Sequence, residues 1–580
     1  MAEVAVEQST VLTMGIDRTE ARARTTAFHL IWLVPCLLVQ IWFFSTQFQG
    51  LVMPDAMDAA QVGRHISDGQ GFTTSIIRPL SVAVAPKVAP HPDVYNAPLF
   101  PLTLGVAFNL FGASDRTVGL VCLFFAILTA LMTYRLGSAL AGPGAGALAA
   151  VLVTLTGGLL KSEVAGMNIS LLMLLLTGLC YAVVRHRGTA RWSLVCGGLA
   201  CLAYLTDYSA LLFAVPACVL VAASQPQSRL RHAGFFLAGF ALVMLPWAVR
   251  NVAVTGSPFG GLRTYSVAMW GTSHPATSLY RSQEPGPARP IQFAASNPRE
   301  IIKKALLNLG GLEGQMPATC GMVLLALLGL AFFTSLGAGT RDRLKWGVLA
   351  GILLMGLSGA IGQPRSDFLY GLLGVIAALG ATACISSMSR MSSRRASGWA
   401  VAAVVALSAY PVALYALPGS RPAKPDRQNL EYLGRALPAG TVILTDRPSE
   451  VAWYADRTAV WLPAAGIPRP KAGEQMTMAE AIEAADATKA KGYQALERAG
   501  VKPAAIYLSS GMGSYLATEG ITGWQWLYGL LSAQLQAAQQ GQPNAQQWTP
   551  AGWQIAATLP PGDFLLTRSS VADRVGRTEN

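Results

Sequence analysis

The sequence MPDAMDAAQVGRHISDGQGF, residues 53–72, follows the first long apolar segment and concentrates charge in a chain that carries little elsewhere. Only 13% of the 580 residues are charged. This short, helix-compatible segment nevertheless holds Asp55, Asp58, Arg64, His65 and Asp68. Residues 53–72 are therefore the first place in the chain to look for catalytic chemistry.

The composition predicts the class of protein. Hydrophobic residues make up 52% of the chain, and its mean hydropathy is +0.41. Long apolar segments separated by short basic ones are typical of a polytopic membrane protein. The net charge of +13 fits this class, because cytoplasmic loops accumulate Lys and Arg, so nucleic acid is not an expected partner. The eight cysteines show no CxxC spacing, and neither a disulfide framework nor a zinc site is predicted.

The apolar segments predict about eleven transmembrane helices, with shorter interfacial helices in the outer loops. The expected spans are 27–48, 116–136, 146–160, 169–184, 192–206, 208–223, 233–249, 318–336, 346–361, 368–387 and 398–417. Basic residues lie in every second connection, which places the N-terminus inside. The two spans around Asp207 are short, and a single broken helix there would invert the topology downstream.

This topology divides the chain into three parts. They are a cytoplasmic segment 1–26, a transmembrane domain 27–420 with outer loops 49–115 and 250–317, and an extracytoplasmic part 421–580. Strand-like and helix-like stretches alternate in the last part, which predicts a soluble α/β domain.

The second outer loop carries cations, which runs against the positive-inside bias. They include Arg250, Arg263, Arg281, Arg289, Arg299, Lys303 and Lys304. The guanidinium group of an arginine can donate two parallel hydrogen bonds to phosphate oxygens, so a lipid phosphate is a natural partner. Ordinary surface charge explains any single one of these residues equally well. Arg250 is best placed because it ends a span, and Arg365 between two later spans would complete such a site.

A series of motifs follows the chain in a recognisable order. They are Asp55-Ala56, Gly69-x-Gly71-Phe72, Asn96-Ala97-Pro98-Leu99-Phe100-Pro101, Phe111-Gly112, Pro246-Trp247-x-x-Arg250-Asn251 and Thr255-Gly256-Ser257-Pro258. Their order resembles the GT-C glycosyltransferases, in particular the protein O-mannosyltransferases and the lipid A aminoarabinose transferases, over roughly the first 420 residues. The resemblance implies a GT-C-like fold, a polyprenyl-phosphate sugar as donor, and catalysis at the outer membrane face by an essential Asp of the first outer loop.

Matching back from Gly69-x-Gly71-Phe72 places the family Asp on Asp55 rather than Asp58. The Lys that the aminoarabinose transferases carry before the proline corresponds here to Asn96, so another cation must meet the donor phosphate. The candidates are Lys87, Arg78 and Arg250. Glu163 and Asn168 stand where the family has a second acidic residue, which leaves the donor sugar and any metal requirement open.

The chemistry assigns roles to these residues. An acceptor hydroxyl is a weak nucleophile, so a carboxylate must take its proton as the oxygen attacks the anomeric carbon. We expect Asp55 to be this base, with Asp58 or Glu163 orienting the acceptor, although a helix N-cap after Pro54 is an alternative reading of Asp55. The leaving lipid phosphate needs cationic donors, and a one-step displacement inverts the anomeric centre.

The remaining polar residues of the first outer loop are assigned to the acceptor or the sugar. They are Asn96, Tyr95, Arg64 and His65. No cofactor is firmly implied. A divalent ion held by an outer histidine and a carboxylate stays an alternative, although surface histidines are commoner.

These features predict an inverting hexosyl- or pentosyltransferase in the bacterial cytoplasmic (inner) membrane, with its C-terminal domain outside. Its expected partners are a polyprenyl-phosphate sugar, a glycan, lipid or protein acceptor, membrane lipids, and an envelope protein bound through residues 421–580. The alternatives are a lipid-linked oligosaccharide ligase or polymerase, and a non-enzymatic assembly or transport subunit. A secondary transporter would show inverted repeats and charges within its spans; no convincing repeat is evident, and few ionisable residues lie inside the spans, with Asp207 as the one exception.

Overall fold

The computed structural model of the chain describes most of residues 31–568. The gaps are at 88, 187, 272–273, 284–289, 336–338, 364–366, 391–392, 418–426, 464–479, 481, 484–485, 487–488, 513–521 and 541–547. The expected cytoplasmic segment 1–26 lies outside the described residues. The described part is mostly helical and has a strand-containing domain towards its C-terminal end, which confirms the expected fold class.

The first part of the chain is a helical bundle. Its helices are α1 (Ile31–Gln47), α2 (Pro54–Ser67), α3 (Pro79–Val84), α4 (Leu99–Phe111), α5 (Asp115–Ala141), α6 (Pro143–Leu155), α7 (Gly157–Ala165), α8 (Ile169–Val184), α9 (Ala190–Thr206), α10 (Leu211–Ala223), α11 (Arg229–Thr255), α12 (Pro290–Ser296), α13 (Pro298–Cys320), α14 (Met322–Phe333), α15 (Thr340–Ile361), α16 (Asp367–Met388) and α17 (Arg394–Tyr415). Helix α16 lies in the interior, with 83% of its apolar stretch buried, whereas α17 buries only 6%. A Cβ on Gly374 of α16 would lie 2.4 Å from Thr177 Oγ1 of α8, so the small residue permits this close helix packing.

The helices account for the expected membrane spans to different degrees. By length and composition, five described helices can cross a membrane, namely α5, α11, α15, α16 and α17. Two bent pairs, α6 with α7 and α13 with α14, would add one span each. The expected spans 169–184, 192–206 and 208–223 are apolar helices of 10–17 residues, shorter than the roughly 20 residues of a full crossing, and the described part of the expected span 27–48 is Ile31–Gln47. The chain is therefore a multi-pass membrane protein.

Segment 49–115, which was predicted to be the first outer loop and keeps that name below, folds into a compact unit around α2 and α4. Short strands β1 (Thr73–Thr74), β2 (Ile76–Ile77) and β3 (His91–Pro92) lie between these helices, and β1 pairs with β3. Helix α2 approaches α4 closely, because a Cβ on Gly63 would lie 2.8 Å from Leu104 Cβ. Helix α4 exposes Val106 and Phe111, which fits the expected helix at the membrane interface.

The C-terminal part forms a six-stranded sheet of order β2-β5-β4-β6-β8-β7. Its further elements are α18 (Gln428–Ala436), β4 (Val442–Thr445), a helical turn at Pro448–Glu450 that continues as π-helix over Val451–Ala455, β5 (Thr458–Trp461), α19 (Lys491–Arg498), β6 (Ala505–Leu508), α20 (Thr522–Gln539), β7 (Trp553–Leu559) and β8 (Asp563–Arg568). Strand β2 of the first outer loop pairs in parallel with β5, so backbone hydrogen bonds join this loop to the C-terminal domain. The sequence does not predict this pairing, because a two-residue strand has no recognisable periodicity.

Asp115, the first residue of α5, connects the helical bundle to the C-terminal domain through its side-chain contacts. It forms an ion pair of 2.7 Å with Arg427 and accepts a hydrogen bond of 2.9 Å from the Leu51 amide. The indole of Trp453 and the hydroxyl of Tyr454 donate to the same carboxylate at 2.7 and 3.0 Å. Residues 427, 453 and 454 of the C-terminal part are therefore held directly against both ends of segment 49–115.

Candidate active site

A cavity of about 400 Å³ lies where the first outer loop, the α9–α10 connection and the second outer loop meet. Its polar lining includes Asp55, Asn96, Asn168, Asp207, Asn251 and Arg263. Its apolar lining includes Phe100, Ile169, Leu172, Leu211 and Met355. A pocket that is mostly apolar and has a few convergent polar groups is the usual form of a small-molecule site.

Asp55 reaches this cavity from the first turn of α2. Pro54 opens the helix, and the N-cap position is Met53, so Asp55 is not the capping residue. The side chain is partly exposed, in contrast to the fully buried Asp58 one turn later. The two carboxylates are three residues apart and lie on the same side of the helix, so their different burial comes from the segments that pack against each turn.

The electrostatic surroundings of Asp55 include two tyrosines and an arginine. Burial raises the pKa of Tyr95 and of Tyr280, and the Asp55 carboxylate raises both further. Burial lowers the pKa of Arg263, but Tyr95, Asp55 and Asp207 raise it, and the net shift is upward. Arg263 therefore stays cationic between two carboxylates that face the same cavity.

Asp58 is the centre of a buried polar network. Its Oδ2 pairs with Arg78 Nη2 at 2.5 Å, and its Oδ1 accepts hydrogen bonds from Asn96 at 3.0 Å and Gln61 at 3.3 Å. Asp58 is fully buried. Asp58 was expected to orient the acceptor, and it reaches the cavity only through Asn96.

Arg78, a predicted donor-phosphate ligand, belongs to the same network. Its guanidinium lies 3.8 Å from the ring centroid of Tyr95, which also packs edge-on against Tyr280 at 5.7 Å. Arg78 is buried and does not line the cavity, and neither does Tyr95. Both residues support the wall behind Asn96 and Arg263.

Arg250 lies near the cavity but binds backbone. Its Nη2 donates to the carbonyl oxygens of Asp93 at 2.5 Å and Phe72 at 3.3 Å, and its guanidinium stacks 4.8 Å from the Trp247 ring. The adjacent Asn251 lines the cavity, whereas Arg250 does not. Arg250 therefore holds the C-terminal end of α11 to the first outer loop through hydrogen bonds to its backbone.

The structure does not bring Glu163 to the cavity. Glu163 is 0% exposed on α7, and neither carboxylate oxygen has a hydrogen-bond partner among the described residues. Its neighbour along the chain, Asn168, does line the cavity and donates to the Thr206 carbonyl at 2.6 Å.

Arg64 and His65 face away from the cavity. Arg64 donates to the Ala452 carbonyl at 2.7 Å and pairs with Asp456 at 2.9 Å, so it belongs to the contact with the C-terminal domain. His65 lies 2.9 Å from both Thr73 Oγ1 and Ser75 Oγ. Burial lowers the pKa of His65, which favours the neutral ring. Of the four residues expected to contact acceptor or sugar, Asn96 is the one that lines the cavity.

The other expected cations are Lys87 and Arg365. Lys87 is exposed in the loop after α3 and is not part of the cavity wall. Arg365 lies outside the described residues. Within the described ranges, no three side chains of the His, Cys, Asp or Glu type gather into a group able to hold a metal ion.

Two cavity residues were not selected from the sequence. Arg263 was one of several outer-loop cations, and its local sequence carries nothing that sets it apart. Asp207 stood out only as an ionisable residue between two short apolar segments. The structure brings both into the wall that contains Asp55.

Comparisons with known proteins agree with this architecture. The family model for dolichyl-phosphate-mannose-protein mannosyltransferases matches residues 91–249. A sequence comparison with curated proteins found no match.

Solved structures resemble the chain over most of its length. The archaeal oligosaccharyltransferase AglB from Archaeoglobus fulgidus, in complex with an inhibitory peptide and a dolichol-phosphate, gives a TM-score of 0.55 at 13% identity, covering 85% of this chain and 71% of that one. ArnT from Cupriavidus metallidurans, bound to undecaprenyl phosphate, gives 0.50 at 13% identity, covering 94% and 99%. The arabinofuranosyltransferase AftD from Mycobacteria gives 0.50 at 14% identity, covering 93% and 41%. The chain thus has the GT-C glycosyltransferase fold and resembles the protein O-mannosyltransferases, as its motifs predict.

Proposed function

We propose that this protein is an inverting glycosyltransferase of the cytoplasmic membrane. It moves a sugar from a polyprenyl-phosphate donor to a hydroxyl acceptor at the outer face. Asp55 is the general base, and Arg263 is the principal ligand of the donor phosphate. The observation that carries the proposal is that Asp55 and Arg263 line one cavity.

The reaction follows from these two charges. Asp55 takes the proton of the acceptor hydroxyl while the oxygen forms a bond to the anomeric carbon. The bond between that carbon and the phosphate oxygen breaks on the opposite side, which inverts the centre. The polyprenyl phosphate leaves with the bonding electrons, and the Arg263 guanidinium stabilises the charge that develops on it.

Arg263 is preferred over the other cations because it lines the cavity. The guanidinium of Arg78 is paired with Asp58, and that of Arg250 donates to two backbone carbonyls. Breaking either arrangement to bind a phosphate would leave buried polar groups without partners, which is costly. Arg263 makes a long hydrogen bond of 3.3 Å from its Nε to the Tyr95 carbonyl, so its two terminal nitrogens remain suited to an anion.

The comparisons support the lipid donor by analogy of fold. ArnT of the comparison is bound to undecaprenyl phosphate, and AglB is in complex with a dolichol-phosphate. The apolar part of the cavity wall, from α4, α8 and α10, offers a surface for the first isoprene units of such a lipid.

The experiment measures release of free undecaprenyl phosphate by the purified protein in nanodiscs. The donors are undecaprenyl-phosphate glucose, mannose and arabinose, each supplied with an envelope extract from the source bacterium as acceptor. We expect Asp55→Asn to lose roughly 100-fold or more of the rate, because general bases contribute about 10²–10⁴-fold. Binding of undecaprenyl phosphate alone should be retained in Asp55→Asn and weakened in Arg263→Gln.

The matched control is Asp68→Asn, which removes an exposed carboxylate from the end of the same helix. It should transfer sugar at the wild-type rate. Unimpaired transfer by Asp55→Asn would disprove the assignment of the base. A donor accepted only as a lipid-linked oligosaccharide would instead favour the ligase alternative.

A further inference from the structure

Asp207 is a second carboxylate in the wall of the cavity. It lies at the break between α9 and α10, where its extended backbone, with φ of −149° and ψ of 123°, separates α9 from the 3₁₀ turn Tyr208–Ala210. A break between two apolar helices places this charged residue at the helix ends, beside the outer loops, and not within a span.

The side chain of Asp207 is anchored by one of its two oxygens. Oδ1 accepts hydrogen bonds from the Ser209 amide at 2.9 Å and the Ser209 hydroxyl at 2.7 Å. These bonds cap the 3₁₀ turn and fix the orientation of the carboxylate. Oδ2 receives no hydrogen bond from the residues that the structure describes, so it is available to a ligand in the cavity.

The position of Asp207 relative to Arg263 indicates which part of a substrate it would meet. Asp55, Asp207 and Arg263 line the same cavity, and both carboxylates act electrostatically on the arginine. The donor sugar is bonded directly to the phosphate that Arg263 binds under the proposed function. A second carboxylate in the cavity that holds Arg263 is therefore within reach of the donor sugar.

Apart from Asp55, Asp207 and Arg263, the polar groups that line the cavity are uncharged. They include Asn168, Ser209, Thr264, Ser358 and Gln363. Amide and hydroxyl groups suit the hydroxyls of a sugar, and a carboxylate oxygen forms a strong, charge-assisted hydrogen bond with one of them. The same negative charge repels a sugar that carries its own carboxylate.

We propose that Asp207 is a specificity-determining residue, whose Oδ2 accepts a hydrogen bond from a ring hydroxyl of an uncharged donor sugar. It selects such sugars against uronic acids. This inference rests on the proposed function of the cavity but concerns a different residue and a different step. Asp207 takes no part in proton transfer.

The test compares lipids with and without the sugar. In Asp207→Asn the amide oxygen still caps the turn, because Asn is as good an N-cap as Asp, so the fold is preserved. The probes are undecaprenyl-phosphate mannose, undecaprenyl-phosphate mannuronic acid and undecaprenyl phosphate, with binding measured in nanodiscs. We expect Asp207→Asn to bind the mannose lipid about 10- to 100-fold more weakly, the range for one hydrogen bond to a charged group.

Undecaprenyl phosphate has no sugar, so its affinity should not fall in Asp207→Asn, and the loss of a nearby negative charge favours the anion. The variant should also discriminate less against the mannuronic acid lipid than the wild type does. Asp68→Asn is the matched control and should behave as wild type in all three measurements. A mannose-lipid affinity unchanged by Asp207→Asn, or an equal loss for undecaprenyl phosphate, would overturn the inference.

Different results would refute the proposed function and the role of Asp207. A wild-type protein that binds neither mannose lipid nor undecaprenyl phosphate refutes both the proposed function and the role of Asp207. A protein that binds and transfers but is indifferent to Asp207→Asn refutes only the specificity role.

Discussion

The pair formed by Asp58 and Arg78 should stabilise the first outer loop rather than react. We consider Asp58→Ala, which removes a carboxylate whose side chain is 1% exposed and leaves Arg78, 7% exposed, without its ion-pair partner. Removing one partner of a buried ion pair costs about 3–5 kcal/mol, because the remaining charge stays desolvated. Asn96 and Gln61 also lose an acceptor, which places the cost towards the upper end of that range.

The contribution of the Asp58–Arg78 ion pair to the free energy of unfolding is best measured in a double-mutant cycle. The double variant Asp58→Ala with Arg78→Met removes both charges and keeps an aliphatic side chain on the Tyr95 ring, so it should be more stable than Asp58→Ala alone. The free energy of unfolding would be measured in micelles by denaturant titration, with tryptophan fluorescence as the signal. Asp68→Ala, at an exposed position, should cost less than about 0.5 kcal/mol and is the control.

Two results would refute this reasoning. A cost of Asp58→Ala no larger than that of Asp68→Ala would show that the pair is not structural. A double variant as unstable as the sum of the single variants would show that the two charges do not interact. If Asp58→Asn kept full stability but lost sugar transfer completely, Asp58 would instead be assigned to the chemistry in place of Asp55.

Three further predictions concern other parts of the molecule. Asp115→Ala should destabilise the contact between the bundle and the C-terminal domain by about 1–3 kcal/mol, because Trp453, Tyr454 and the Leu51 amide lose their acceptor, and limited proteolysis should then cleave near residue 427 faster than in wild type. Burial lowers the pKa of His65 and His91 below 6.5, so the unfolded chain takes up protons at a higher pH than the folded chain does. The denaturant concentration at the unfolding midpoint should therefore decrease when the pH is lowered from about 7 to about 5. An equal decrease in a variant with both histidines replaced by Gln would contradict this. Glu163→Gln should keep sugar transfer within a few-fold of wild type, because Glu163 lies outside the cavity; a loss comparable to that of Asp55→Asn, measured as release of undecaprenyl phosphate, would restore its catalytic role.

The C-terminal domain acquires a structural role that its sequence does not reveal. Strand β2 of the first outer loop belongs to its sheet, and the helical turn before β5 supplies Trp453, which stacks 6.0 Å from Phe108 of α4. Arg64 of α2 bonds to the same turn, 389 residues along the chain. The helix that carries Asp55 is therefore held by the membrane bundle on one side and by this domain on the other.

Hydropathy and charge by themselves determined the class of this protein, the order of its apolar helices and the outer position expected for Asp55. Each depends on a sum over local residues, since the cost of placing a side chain in lipid is set mainly by that side chain and its neighbours along the chain. The order of the motifs likewise predicted the GT-C fold, because each motif is a short run of residues that can be recognised along the sequence alone.

Only the tertiary structure decided which charges meet. Arg78, Arg250 and Arg263 are equally good phosphate ligands by residue type, yet the first pairs with Asp58, the second binds backbone, and the third lines the cavity. Asp207 became a candidate because the break between α9 and α10 brings it to the cavity that Asp55 enters from α2. The physical reason is that an ion pair or a cavity wall depends on contacts between residues far apart in sequence, which no local pattern records.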